Sequence, residues 1–222
     1  MSAIYRQQAP AKINLFLHVT GKRDDGYHEL ESLVCFAGVG DVLSGEIRDD
    51  GKITLAITGA MAAGLALDDT DNNLVMRAAR LLQNESTTNL GADLILDKRL
   101  PIASGIGGGS ADAAAAIRLL CEMWQLELDD KTVLRIALSL GADVPVCLHG
   151  KTCLMSGIGE EITELPDLPP IPMVLINPGK AVSTPEIFKA RDTEGFSASG
   201  QWQTDRVFES GAALADALSD GG

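Results

Sequence analysis

Ile13, Leu15, Leu17 and Val19 fall at every second position of residues 11–20, which predicts a strand with one apolar face and with Lys12, Asn14 and Phe16 on the other. A charged turn, Gly21 to Gly26, follows. Val34–Val42 reads as a second strand with a glycine-rich break, and Ile47–Ile57 supplies one or two more. Leu74, Ala78, Leu81 and Leu82 have helical spacing within Asn73–Gln83. Leu94–Leu100 is a short strand, and Ser110–Trp124 is an alanine-rich helix suited to close backbone packing. Asp129 or Asp130 caps a helix that reaches Leu140 and stops at Gly141. Strand-like pieces run from Val146 to Met155 and from Met173 to Asn177, and a last helix spans Phe208–Leu218. The proline-rich stretch Pro166–Pro172 marks a boundary between two lobes, 1–165 and 166–222.

Composition narrows the functional classes. The chain has 222 residues and a net charge of −13, from 31 acidic and 18 basic residues, which argues against a nucleic-acid or anionic-membrane surface. A local loop still binds a small anion in an acidic protein. Cys35, Cys121, Cys147 and Cys153 lack a Cys-x-x-Cys spacing, and His18, His28 and His149 show no metal-ligand pairing. Together with the absence of a signal-like N-terminus, this points to a cytoplasmic protein with reduced thiols and no metal site of its own.

Between the strand ending at Leu100 and the alanine-rich helix, Gly105, Gly107, Gly108 and Gly109 occupy four of five positions before Ser110. Such a loop opening a helix presents unpaired N–H groups and the positive end of the dipole, the recipe for holding a phosphate. It matches neither the Walker loop, for want of Gly-Lys-Ser/Thr, nor the dinucleotide fingerprint. Its bland counterpart is a flexible loop before a tightly packed helix.

Other candidates each carry two readings. Lys12 is either a solvated strand lysine or a fixed cation beside an acidic or phosphate group. Asp143, ahead of Val144-Pro145, is either a turn-stabilising residue or a rigidly held general base; the proline is expected to keep Val144 extended. Tyr27-His28 either closes the charged turn or stacks on a flat ligand. Ser110 is a helix N-cap whose hydroxyl also faces the anion site, toward phosphate or magnesium, and Asp112 fits a dipole-favourable structural role.

Taken together these segments resemble the GHMP kinase family. The matching blocks are Pro10–Leu17 with Gly21–His28; Asp71–Val75 with Arg77-Ala78-Ala79; Leu100–Ala114; and Gly141–Pro145 with Gly157–Glu160 and Pro185–Lys189. The resemblance implies an α+β fold of two lobes: a ribosomal protein S5 domain 2-like N-terminal lobe and an incomplete ferredoxin-like C-terminal lobe. No second glycine-rich motif follows Phe196, so the resemblance also implies a chain cut short on that side, and a nucleotide-binding remnant without turnover stands as an alternative.

The resemblance implies ATP as phosphoryl donor, with Mg2+ inferred from that chemistry. The acceptor would be the 2-hydroxyl of a methylerythritol moiety in a small cytidyl diphosphate substrate of the non-mevalonate isoprenoid pathway; another GHMP small-molecule kinase is the second alternative. Lys12 and Asp143 would be the catalytic pair. Asn73, Lys98 and the run Pro101, Ile102, Ala103, Ser104, Gly105, Ile106, Gly107, Gly108, Gly109, Ser110 and Ala111 would bind the nucleotide. Tyr27, His28 and Phe188 would grip the cytosine, with Asn14 near the acceptor.

Overall fold

A computed structural model describes residues 3–64, 71–102, 105–177, 184–191, 195–196, 202 and 204–219. Its strands are β1 (Tyr5–Lys22), β2 (His28–Arg48), β3 (Ile53–Thr58), β4 (Gly91–Asp97), β5 (Cys153–Gly157) and β6 (Glu161–Glu164). Its helices are α1 (Leu74–Ser86), α2 (Gly108–Met123), α3 (Asp130–Leu140), α4 (Val144–His149), α5 (Thr184–Arg191) and α6 (Gly211–Ser219). Ala103 and Ser104 of the anticipated nucleotide loop lie outside the described residues.

The chain forms two compact units, one from residues 1–11 and 37–149, the other from 12–36 and 150–222. In the first, the C-terminal half of β2 pairs antiparallel with β4 (Val42 opposite Asp97, Arg48 opposite Gly91), and β4 pairs parallel with β3. α1 packs on α2 and α3, and α2 packs on α4. α2 is buried almost all round, Ala113 to Ile117 with Leu119, Leu120 and Met123, as close packing through alanine requires. The Trp124 indole donates to Gly91 O at 3.1 Å, so the large ring at the end of α2 enters the core with its polar atom satisfied.

In the second unit the N-terminal half of β2 pairs antiparallel with β5, and β5 with β6. Leu33, Phe208, Leu214 and Ala217 form its apolar cluster, flanked by Leu15, Phe16 and Trp202. β1 pairs with β2.

Several sequence expectations hold and several are corrected. α3 is capped by Asp129, whose side chain accepts from Thr132 N at 2.7 Å, and stops at Gly141. β2 is one 21-residue strand, running through Gly38 and Gly40 without the expected break. Val146–Met155 is not a strand: α4 occupies 144–149 and β5 begins only at Cys153. Val144 is helical rather than extended, because Pro145 sits in the first turn, where a missing N–H costs nothing. Residues 173–177 form no strand, and Val174 and Ile176 are 84% and 85% exposed.

Candidate functional site

The glycine loop delivers a helix N-terminus to solvent. Gly107 caps α2 at φ 65° and ψ 19°, the left-handed region that a Cβ disfavours, and Gly105 has φ 74°. Gly107 O accepts from Ala111 N at 2.8 Å, closing the first helical turn. The N–H groups of Gly108, Gly109 and Ser110 belong to that first turn and have no intrahelical acceptor. Ser110 is therefore not the cap, contrary to the sequence expectation. It lies three residues into α2, with its hydroxyl still in the first turn. Gly105 and Gly109 are exposed, while Gly107 and Gly108 are half-buried.

Asn73 sits beside this loop. Its Oδ1 caps α1 by accepting from Val75 N at 2.9 Å. A Cβ built on Gly109 would stand 3.5 Å from Leu74 Cδ1, so the start of α1 and the start of α2 are neighbours. The structure thus brings Asn73 and the glycine run together.

Lys98 is held beneath the loop. It is 4% exposed, and its ammonium donates to Asp41 Oδ2 and, at 2.7 Å, to Asp112 Oδ2. Burial pushes the lysine toward neutrality, but the two carboxylates outweigh it and its pKa stands above the ordinary value. Burial raises the Asp112 carboxyl to about 7, Lys98 opposing the shift and Asp41 adding to it. Asp41 is the residue that sequence reading missed. Its partners lie 57 to 59 positions away, and nothing local to Gly40-Asp41-Val42 announces them. Asp112, expected only to complement the dipole, is an ion-pair member.

Asp143 stands at the cap position of α4, where its carbonyl accepts from Cys147 N at 3.1 Å; Val144 N donates to Gly141 O across the preceding turn. The motif Gly141–Pro145 therefore builds a tight corner that places this carboxylate at the start of a short helix.

The remaining residues belong to the second unit. Lys12 is 3% exposed on β1, close enough to Cys153 for its charge to act on the thiol, which burial nevertheless raises to about 11. Asn14 follows on the same face of β1, and its Oδ1 is buried with no hydrogen bond among the described residues. His28 stacks on Phe188, centroids 4.9 Å apart and planes 19° apart, and meets Phe196 edge-on at 6.4 Å. Phe196 also escaped the sequence reading, its one signal being a lone aromatic in a polar stretch. Tyr27 is 58% exposed beside this wall. The turn before it is pinned by Arg23, which donates to Glu29 at 3.3 Å and to Glu160 at 3.2 Å. Glu160 also accepts from Ile158 N at 2.6 Å, so the Gly157–Glu160 block supports the Tyr27-His28 block.

Residues 73–151 match the family model described as "GHMP kinases N terminal domain". A 4-diphosphocytidyl-2-C-methyl-D-erythritol kinase of Rhodospirillum rubrum is 48% identical over 212 residues, covering 96% of this chain and 67% of that protein. The same-named protein of Paramagnetospirillum magneticum is 51% identical over 191 residues, covering 86% and 65%. This chain thus spans about two thirds of the length of the curated relatives it matches. A crystal structure of 4-(cytidine 5'-diphospho)-2C-methyl-D-erythritol kinase superposes with a TM-score of 0.76 at 34% identity, covering 97% of this chain and 72% of that one. A homoserine kinase from Cytophaga hutchinsonii, at 18% identity and TM-score 0.57, shares the fold. The α+β fold is that of the GHMP kinases, and the chain belongs to their 4-diphosphocytidyl-2-C-methyl-D-erythritol kinase family.

Proposed function

We propose that this chain is an ATP-dependent small-molecule kinase that transfers the γ-phosphoryl group of ATP to the 2-hydroxyl of 4-diphosphocytidyl-2-C-methyl-D-erythritol, a step of non-mevalonate isoprenoid synthesis. The observation that carries this reading is the Gly107-capped start of α2, a solvent-facing set of backbone donors at the positive end of a 16-residue helix. It lies within the matched GHMP segment, in a chain 48% identical to a kinase of that name. In this reading residues 1–165 supply the nucleotide-binding lobe and 166–222 part of the second lobe. The protein works in the cytoplasm, where its four free cysteines stay reduced.

Phosphoryl transfer asks a protein mainly for positioning and charge neutralisation. The N–H groups of Gly108, Gly109 and Ser110 hold phosphate oxygens, with Asn73 nearby. Asp143 orients the acceptor hydroxyl and takes its proton, while Lys12 steadies the charge developing at the reacting centre. His28, Phe188 and Tyr27 hold the cytosine by stacking and by reading its polar edge, and Asn14 offers its buried Oδ1 to an acceptor hydroxyl. Among the described residues no group of three or more His, Cys, Asp or Glu gathers to hold a metal. The loop's N–H donors suit the phosphates and not a cation; a magnesium ion would be held chiefly by nucleotide phosphate oxygens, with the Ser110 hydroxyl as the oxygen ligand this loop could offer. When bound, that ion neutralises charge on the transferring group.

A coupled assay of ADP release with the cytidyl acceptor, mevalonate and homoserine tests the proposal. Turnover with the cytidyl acceptor alone is expected. Turnover only with another acceptor reassigns the substrate, and ATP binding without turnover by folded protein overturns the enzymatic reading.

A further inference from the structure

We propose that the buried group Asp41–Lys98–Asp112 is the positioning device of the phosphate-binding loop, fixing the start of α2 against β2 and the exit of β4 so that its backbone donors are set before a polyphosphate arrives. The proposal rests on the reading of that loop as the ATP site.

Three elements meet at one ammonium. Asp41 is on β2, Lys98 follows the last residue of β4, and Asp112 is in the second turn of α2. Asp41 uses its two oxygens for two tasks. Oδ1 accepts from Arg99 N at 2.6 Å and Leu100 N at 2.8 Å, which fixes the chain as it leaves β4; Oδ2 accepts from Lys98. Lys98 then carries the restraint to α2 through Asp112 Oδ2. The loop rests on this ammonium: a Cβ on Gly108 would lie 3.4 Å from Lys98 Nζ and 3.9 Å from Asp41 Oδ2. Lys98 thus acts through the loop, and not as a lysine reaching out to phosphate.

Stability alone does not account for the arrangement. The three side chains are at most 5% exposed, and buried ion groups of this kind contribute little net stability relative to apolar packing. What they do supply is a fixed geometry. The group also holds two carboxylates against one ammonium, and Asp112 Oδ1 is buried without a hydrogen-bond partner among the described residues. That excess is removed when Asp112 carries a proton. Asp41 from β2 and Lys98 from the end of β4 are the charged groups that act on it. A proton on Asp112 removes a negative charge beneath the helix start that receives phosphate, so protonation and nucleotide binding favour each other.

The test is titration of the full chain with a fluorescent non-hydrolysable ATP analogue, alongside steady-state kinetics. Asp112→Ala is expected to weaken analogue binding and raise KM for ATP by about tenfold or more, the scale of one lost charge-assisted hydrogen bond. The acceptor KM should stay within about twofold, well below the tenfold step of a lost charged contact. Asp112→Asn keeps an acceptor for Lys98 and should recover most of the affinity. Wild-type affinity should fall as pH rises from 6 to 8 more steeply than that of Asp112→Asn, the ionisation of the analogue being common to both. Folded Asp112→Ala that binds like wild type overturns the proposal. Identical pH profiles for wild type and Asp112→Asn overturn it as well, and this arm decides should Asp112→Ala fail to fold. Wild-type protein that binds no analogue overturns the ATP-site reading itself.

Discussion

The imidazole of His28 and the ring of Phe188 stack 4.9 Å apart with planes 19° from parallel, although 160 positions separate them in the chain. His28 lies next in the chain to the exposed Tyr27, and the proposed function assigns these aromatic groups to the cytosine of the acceptor. Phe188→Ala and Tyr27→Ala should therefore each raise the KM of the cytidyl acceptor about tenfold, the lower range of base–aromatic stacking energies. The KM of ATP should hold. Steady-state kinetics with each substrate varied in turn checks this, and an equal rise in both constants would remove the ring pair from acceptor recognition.

Asp143 begins α4 at the corner that Gly141 turns, so its carboxylate is carried by rigid backbone. Asp143→Asn keeps the shape and removes the proton acceptor. Turnover should fall by about 10² to 10⁴, the usual range for a lost general base, with ATP binding close to wild type. Single-turnover rates with independently measured ATP affinity separate the two effects. Near-normal turnover would exclude Asp143 as the base.

What the sequence revealed was whatever local chemistry encodes. Asp129 and Gly141 announced both ends of α3, because a cap and a stop act within a few residues. The glycine run announced α2 for the same reason. Asp112 and Asp41 were opaque: their meaning depends on Lys98 and on backbone amides far along the chain. Pro145 misled in the opposite direction, since its bias against helix in the preceding residue gave way in a first turn where Val144 N finds Gly141 O. The exposed Val174 and Ile176 read as strand because propensity was satisfied, yet no described strand pairs with them.

Gly107 and Gly109 should respond differently to alanine. Gly107 has a positive φ, so a Cβ there costs about 1–2 kcal/mol against the left-handed conformation, partly offset by the stiffer unfolded chain. Gly109 has no such φ, and its added Cβ meets only Leu74 Cδ1 at 3.5 Å, an ordinary contact. Thermal melts should show Gly107→Ala lowered by about 2–4 °C, the shift expected for 1 kcal/mol in a chain of this size. Gly109→Ala should melt at or slightly above wild type. Equal losses in both variants would contradict the cap geometry.

Asp112 makes stability depend on pH in a direction that can be worked out. Its carboxyl titrates at about 7 in the folded chain, against 3.8 for an unperturbed aspartate, because burial disfavours the charged form. Between those values the native state binds more proton than the unfolded state, so this group's contribution to stability is fully present below about pH 4 and is lost as pH rises through 7. Asp112→Asn has no such proton to lose. Urea midpoints at pH 4.5, 6 and 7.5 should therefore show wild type losing ground to Asp112→Asn as pH rises, by an amount on the order of 1–4 kcal/mol across the window. The exposed carboxylates titrate in both proteins and cancel in the difference. A wild-type-to-variant gap that stays constant would mean that Asp112 is ionised throughout and that Lys98 alone satisfies the charge. A carboxyl held below its ordinary value by Lys98 would give the same constant gap in this window, because its titration would then fall below about pH 4.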